Sequence, residues 1–269
     1  MAETFLILFA GGVLLAAAVP RPAEVTLNWL RLAGIIALCL CGLAAFFYLR
    51  RPAVADVPAF YRRMQVGLIA AAVACVLAQL ALAQTGRRRS QRVVALLGFL
   101  VAVLAGSNLL HELMVARGTA LLFAPKPLAV GLQTLSCAGV AAMTGLALMD
   151  MLLGHAYLTA SKMTIAPFRR LNLALVTTTF LRALVATGGV LALQSWRPVE
   201  RLWAFHGLFI LTRWLVGLAV PLVFLYMALD CIKRRSTQSA TGILYVAGVL
   251  ILIGELIGLQ LARETGLPF

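Results

Sequence analysis

Eight side chains in this sequence are charged or carry an imidazole yet lie within or beside long apolar runs: His111, Glu112, Asp150, His155, Arg182, His206, Arg213 and Glu255. In hydrocarbon such groups are costly, and they tend to mark cofactor sites, proton relays or fixed ion pairs. The three histidines are the sharpest clue, because the chain has only three. His111 lies near the end of the fourth apolar run and His206 near the start of the seventh. Those two ends face the same side of a membrane, whichever way the chain is inserted. Two imidazoles at one depth on two helices are the ligand set of a six-coordinate b-type haem, each giving one nitrogen to the iron. His111 and His206 are therefore the expected iron ligands. Arg213 is seven residues after His206, on the same helical face about two turns deeper. There it can meet a haem propionate or a quinone carbonyl. The plainer alternative is that each histidine hydrogen-bonds a loop carbonyl or a lipid headgroup at an interface. Two stacked haems with all-histidine ligation would need four histidines and are excluded.

A second polar stretch, Gly154-His155-Ala156-Tyr157-Leu158-Thr159-Ala160-Ser161-Lys162, closes the fifth run. His155, Tyr157 and Lys162 offer the groups that hydrogen-bond quinone carbonyls and move protons. The competing reading is a helix end with Tyr157 at the headgroups and Lys162 snorkelling. Asp150 is five residues before His155, roughly 140° away around a helix, so a direct relay between them is not expected. Arg182 and Glu255 are the deepest charges by position and need partners. Arg182 with Asp150 and Arg213 with Glu255 are the expected pairings. Glu255 lies between Gly254 and Gly258, a spacing that suits close approach of a neighbouring helix.

The elements that must hold these residues are membrane helices. Hydrophobic residues make up 62% of the 269, and charged residues only 12%, against roughly 25% in a soluble domain. A span takes about 20 apolar residues. Eight runs qualify, near Phe5–Val19, Leu30–Leu49, Val66–Ala83, Val93–Val115, Leu128–Leu153, Leu171–Leu193, Trp203–Ala228 and Gly242–Leu261. Helices satisfy their own backbone in lipid, and the runs lack the alternation of barrel strands. The expected fold is an all-α polytopic membrane bundle of about eight helices. Residues 1–269 form one transmembrane domain, and no soluble catalytic domain fits beside it. The first run lacks a basic leader and reads as a retained span rather than a cleaved signal. Pro221, inside the seventh run, predicts a kink.

The net charge of +14 does not point to nucleic acid, because most of the basic residues are juxtamembrane, where they set topology and meet anionic lipid. Loops after odd-numbered spans hold Arg21, Arg87, Arg88, Arg89, Arg92, Lys162, Arg169, Arg170, Lys233, Arg234 and Arg235. Those after even-numbered spans hold Arg50, Arg51, Arg62, Arg63, Arg117, Lys126, Arg197, Arg201 and Arg263. Eleven against nine favours both termini outside a bacterial-type inner membrane. The five cysteines form no CxxC pair and read as packing residues. His111-Glu112 is not followed by a second histidine at metalloprotease spacing, and Asp150 has no second aspartate at its depth.

Three functions remain. The leading one is an integral subunit of a respiratory-type electron-transfer complex, holding one haem b, meeting quinone, or both, and depending on other subunits and membrane lipid. A small transporter or channel would use Asp150, Arg182, Arg213 and Glu255, but no internal repeat supports it. A structural or assembly subunit would have these charges paired and no chemistry of its own. A stand-alone enzyme is the least supported reading.

Overall fold

The structure, a computed structural model, describes residues 1–21, 24–52, 59–119, 126–159, 164–193 and 199–269. Its elements follow from the rule that a backbone in hydrocarbon must bond to itself. The helices are α1 (Ala2–Ala18), α2 (Leu27–Arg50), α3 (Ala59–Gln84), α4 (Arg88–Ala116), α5 (Lys126–Thr159), α6 (Ala166–Leu193), α7 (Val199–Trp214), α8 (Val220–Lys233) and α9 (Thr237–Thr265). A five-residue π-helical turn, Leu215–Ala219, joins α7 to α8. Among the described residues seven helical stretches are long and apolar enough to cross a membrane, with α7 through α8 counting as one, and α1 is a shorter apolar helix. The protein is an all-helical, multi-pass membrane bundle.

α1 departs from the expected full span. Its 17 residues rise about 25 Å at 1.5 Å each, short of a hydrocarbon core of about 30 Å. Its position explains this. α1 packs against α2, α4 and α5 at the centre of the bundle, so protein rather than lipid surrounds it. Twelve of its residues are buried, and Phe5, Leu6 and Phe9, on one side of its first half, are partly so. The crossing with α5 is backbone against backbone. A Cβ placed on Gly12 would fall 1.7 Å from the carbonyl oxygen of Ala141, and one on Gly145 would fall 1.9 Å from the carbonyl carbon of Gly12.

Consecutive helices run up and down, so their ends fall into two layers. Contacts between distant segments fit this alternation. At one face Arg51, just past α2, donates to Glu3 of α1 (3.0 Å) and to Glu112 of α4 (3.3 Å). Arg117 bonds Glu264 at the same face (2.9 Å). At the other face Arg170 of α6 pairs with Glu24. The face bearing the start of α1 is called the first face below, and the opposite one the second.

Just before the proline from which a kink is expected, the seventh span changes from α to a π-helical turn. Pro221 has no N–H to give to the preceding turn, and the ladder shifts to a wider repeat in which the N–H of Val220 reaches the carbonyl of Leu215. The widened turn sets Gly217 against α9. A Cβ on Gly217 would lie 2.6 Å from the Cα of Gly254, so only glycines permit this approach. After α9 the chain reverses at Gly266, which is left-handed (φ 76°). Leu267 and Phe269 are then buried back in the bundle.

Candidate functional site

Two polar constructions lie inside the bundle. The first gathers three of the charges singled out by sequence. Arg182 (α6), Arg213 (α7) and Glu255 (α9) are 2%, 0% and 0% exposed. One Glu255 oxygen, Oε1, accepts from Nη2 of Arg213 at 2.9 Å. The other, Oε2, accepts from Nε and Nη2 of Arg182, each at 3.4 Å. Arg182 Nη2 also bonds the main-chain oxygen of Phe269. Glycines make room for the guanidinium groups. A Cβ on Gly139 would lie 2.4 Å from Arg182 Cδ, and one on Gly258 would lie 3.1 Å from Arg213 Nε. Arg213 with Glu255 is the pairing expected from sequence. Arg182 with Asp150 is not: Arg182 turns to Glu255, and Asp150 is instead bonded by Asn172 Nδ2 at 3.3 Å. The reason is axial distance. Arg182 Cδ lies beside Gly139 of α5, and Asp150 is eleven residues farther along that helix, about 16 Å away.

The second construction is a cavity of about 370 Å³ between α3, α4 and α5. Each helix contributes one stripe at helical spacing: Tyr61, Met64 and Leu68 from α3; Leu104, Ser107, Asn108 and His111 from α4; Val130, Gln133 and Thr134 from α5. Tyr61, Met64, Leu104 and Val130 form an exposed rim. In a membrane bundle that rim faces lipid. The rear wall is polar and internally bonded. Ser107 and Thr134 share a hydroxyl bond of 3.0 Å, Gln133 Nε2 donates to the carbonyl of Ser107 at 3.0 Å, and Asn108 Nδ2 donates to Gln65 Oε1 at 2.8 Å. His111 stands half-buried in this wall and makes no side-chain hydrogen bond among the described residues. Its ring nitrogens are therefore open to a ligand. His111, near the end of α4, and Tyr61, near the start of α3, put the polar end of the cavity at the first face; Leu104 lies about two turns deeper.

The other predicted residues are dispersed. His206 is half-buried on α7, between Phe205 and the lipid-facing Leu208, 82% and 74% exposed. α7 packs on α9 and the π turn, whereas α4 packs chiefly on α1, α3 and α5; His206 does not line the His111 cavity. Glu112 points away from that cavity and accepts from Tyr48 (3.4 Å) and Arg51 (3.3 Å). His155 is exposed on α5. Tyr157, two residues on and so on another side of the helix, is buried, stacked on Phe168 (5.2 Å between centroids) and bonded to the carbonyl of Thr164. Lys162 lies outside the described residues. No group of three or more His, Cys, Asp or Glu that could hold a metal ion occurs among the described residues.

Sequence reading missed the cavity wall and Asn172. A signal for the first was present: Leu104, Ser107, Asn108 and His111 stand at i, i+3, i+4 and i+7, an amphipathic stripe inside a membrane helix. Comparisons with family models, curated proteins and solved structures find no match for this chain.

Proposed function

We propose that this chain is a quinone-interacting membrane subunit of an electron-transfer complex. The observation that carries the reading is the α3–α4–α5 cavity: open to lipid, apolar at the rim, polar at the rear, with an unbonded histidine at its interfacial end. Sites for small apolar ligands have this character, with volumes of about 300–1,000 Å³ and few polar groups to fix orientation. A quinone fits it by chemistry. The flat ring and isoprenoid tail belong with Leu104, Val130 and Met64, and a carbonyl belongs with His111, Asn108 or the phenol of Tyr61. Electrons would pass to or from a partner subunit at the first face. With both termini outside a bacterial-type inner membrane, that face is the external one.

The haem reading has less support than the quinone reading, because His111 and His206 are carried by helices with different packing partners. The transporter reading is weakened by the use the buried charges make of one another: Glu255 takes up both arginines, and Asp150 stands apart. The test is saturable binding of a short-chain quinone to the purified protein in lipid nanodiscs, with a reduced-minus-oxidised spectrum on the same sample. Binding should weaken about two- to tenfold in His111→Ala, the worth of one net hydrogen bond, and be lost in Val130→Trp, which fills the mouth. Binding that is absent, or equal in all three proteins, refutes the proposal. A haem signal lost in both His111→Ala and His206→Ala would restore the haem reading.

A further inference from the structure

Asp150 and Asn172 belong to neither construction. Both side chains are 0% exposed. They face one another across the α5–α6 contact, joined by the bond from Asn172 Nδ2 to Asp150 Oδ2 at 3.3 Å. The second oxygen of Asp150, Oδ1, and the single oxygen of Asn172, Oδ1, have no partner among the described residues. Each is an acceptor lacking a donor, and an ionised carboxylate has no hydrogen to give to Asn172 Oδ1.

The charge is equally unaccounted for. No cation pairs with Asp150 among the described residues. The basic groups of the packed elements are engaged or distant. Arg170 of α6 is held by Glu24, and Arg182 of α6 and Arg213 of α7 are held by Glu255. α1 brings Glu3 and α4 brings Glu112, both bonded to Arg51 at the first face; towards the second face Arg89 and Arg92 of α4 and Arg169 of α6 are exposed, and Arg88 of α4 is half-buried without an ion pair among the described residues. From α9 the near polar group is Thr241, whose Oγ1 would lie 2.7 Å from a Cβ on Gly154 and which already donates to the carbonyl of Thr237. On α5 itself the next titratable side chain along that face, Tyr157, donates to Thr164. Glu255 is as deeply buried but lies between two guanidinium groups. A lone ionised carboxylate in that setting is disfavoured far beyond what one amide N–H returns.

One added hydrogen resolves both problems. We propose that Asp150 is a proton-binding site in the bilayer interior, holding its proton on Oδ1 and donating it to Asn172 Oδ1. The acid and the amide then form a two-point pair, with N–H to Oδ2 one way and O–H to Oδ1 the other. The pair is neutral and removes both orphan acceptors. Protonation binds H⁺ from water and requires no other reactant. The site is independent of the quinone cavity, and its failure would leave that reading untouched.

The experiment is infrared spectroscopy of the reconstituted protein at neutral pH, with aspartate labelled by ¹³C at the side-chain carboxyl. The chain has three aspartates, Asp56, Asp150 and Asp230. The expected result is a label-sensitive carboxylic-acid C=O band that shifts in D₂O and disappears in Asp150→Asn, an amide that can reproduce both bonds. If that variant fails to accumulate, Asn172→Leu gives the second reading: the band should persist and move to the frequency of a carboxyl without a hydrogen bond. Absence of a protonated aspartate band in the wild type overturns the proposal. So does a band that gives way to a carboxylate signal when sodium replaces potassium, which would make the occupant a metal cation.

Discussion

Replacing Glu255 by glutamine should damage this protein more than removing either arginine that holds it. Among the described residues, Glu255 is the one carboxylate side chain paired with the two buried arginines. Glutamine keeps one acceptor oxygen and can still meet one guanidinium, but its NH2 group faces the other, so the contacts at 2.9, 3.4 and 3.4 Å cannot all be made and the side-chain charge shared by Arg182 and Arg213 is gone. Breaking a buried pair costs about 3–5 kcal/mol, most of it the penalty on the abandoned charge. Here two charges are abandoned, so the upper end applies, against a total stability of about 5–15 kcal/mol. Arg182→Met leaves a neutral Arg213–Glu255 pair and takes one charge-assisted bond from the Phe269 main-chain oxygen, which Ser136 Oγ still reaches at 3.4 Å, a loss of about 1–3 kcal/mol. The ordering, Glu255→Gln well above Arg182→Met, is the prediction. It can be measured by denaturant unfolding in bicelles or by steric trapping. Because buried ion networks can be exchanged for apolar packing, Glu255→Leu with both arginines changed to Met should recover much of the loss. A Glu255→Gln variant within about 1 kcal/mol of wild type, well below the loss expected for a broken buried pair, would refute the reasoning.

Two further predictions concern the scaffold. Gly145→Ala should cost 3 kcal/mol or more, beyond ordinary overpacking of about 1–3, because its Cβ meets the backbone of Gly12 at 1.9 Å. Gly242→Ala, with no atom within 4 Å of the new Cβ, should instead stabilise by about 0.4–1 kcal/mol; paired thermal melts distinguish the two. Arg51→Gln leaves Glu3 and Glu112 without their shared guanidinium. It should lower stability by about 1–3 kcal/mol, with hydrogen exchange rising first at the start of α1 and the end of α4.

The membrane class and the spans were legible because lipid imposes a length and an apolarity that composition records directly. Pro221 likewise announced a break in the seventh span, since a missing N–H is a local property, although neither the π form of the turn nor the contact of Gly217 with Gly254 was readable. The burial of α1 was not legible: an apolar helix facing protein and one facing lipid have the same composition. Pairing was half legible. Glu255 flanked by glycines signalled a close neighbour, but Arg182 has two carboxylates at sequence-compatible positions. The choice between them depends on axial register, which nothing local records. The cavity depends on three stripes meeting, and only the α4 stripe contained a residue, His111, that drew attention on its own.

The proposed quinone site is the space behind His111. The most direct measurement is photolabelling of the reconstituted protein with an azidoquinone, followed by peptide mapping. Label is expected on the segments around Tyr61–Leu68, Leu104–His111 and Val130–Thr134, competed by unlabelled quinone and lost in Val130→Trp. Label confined to α7 near His206 or to the end of α5 near His155, or label indifferent to competitor, would contradict it.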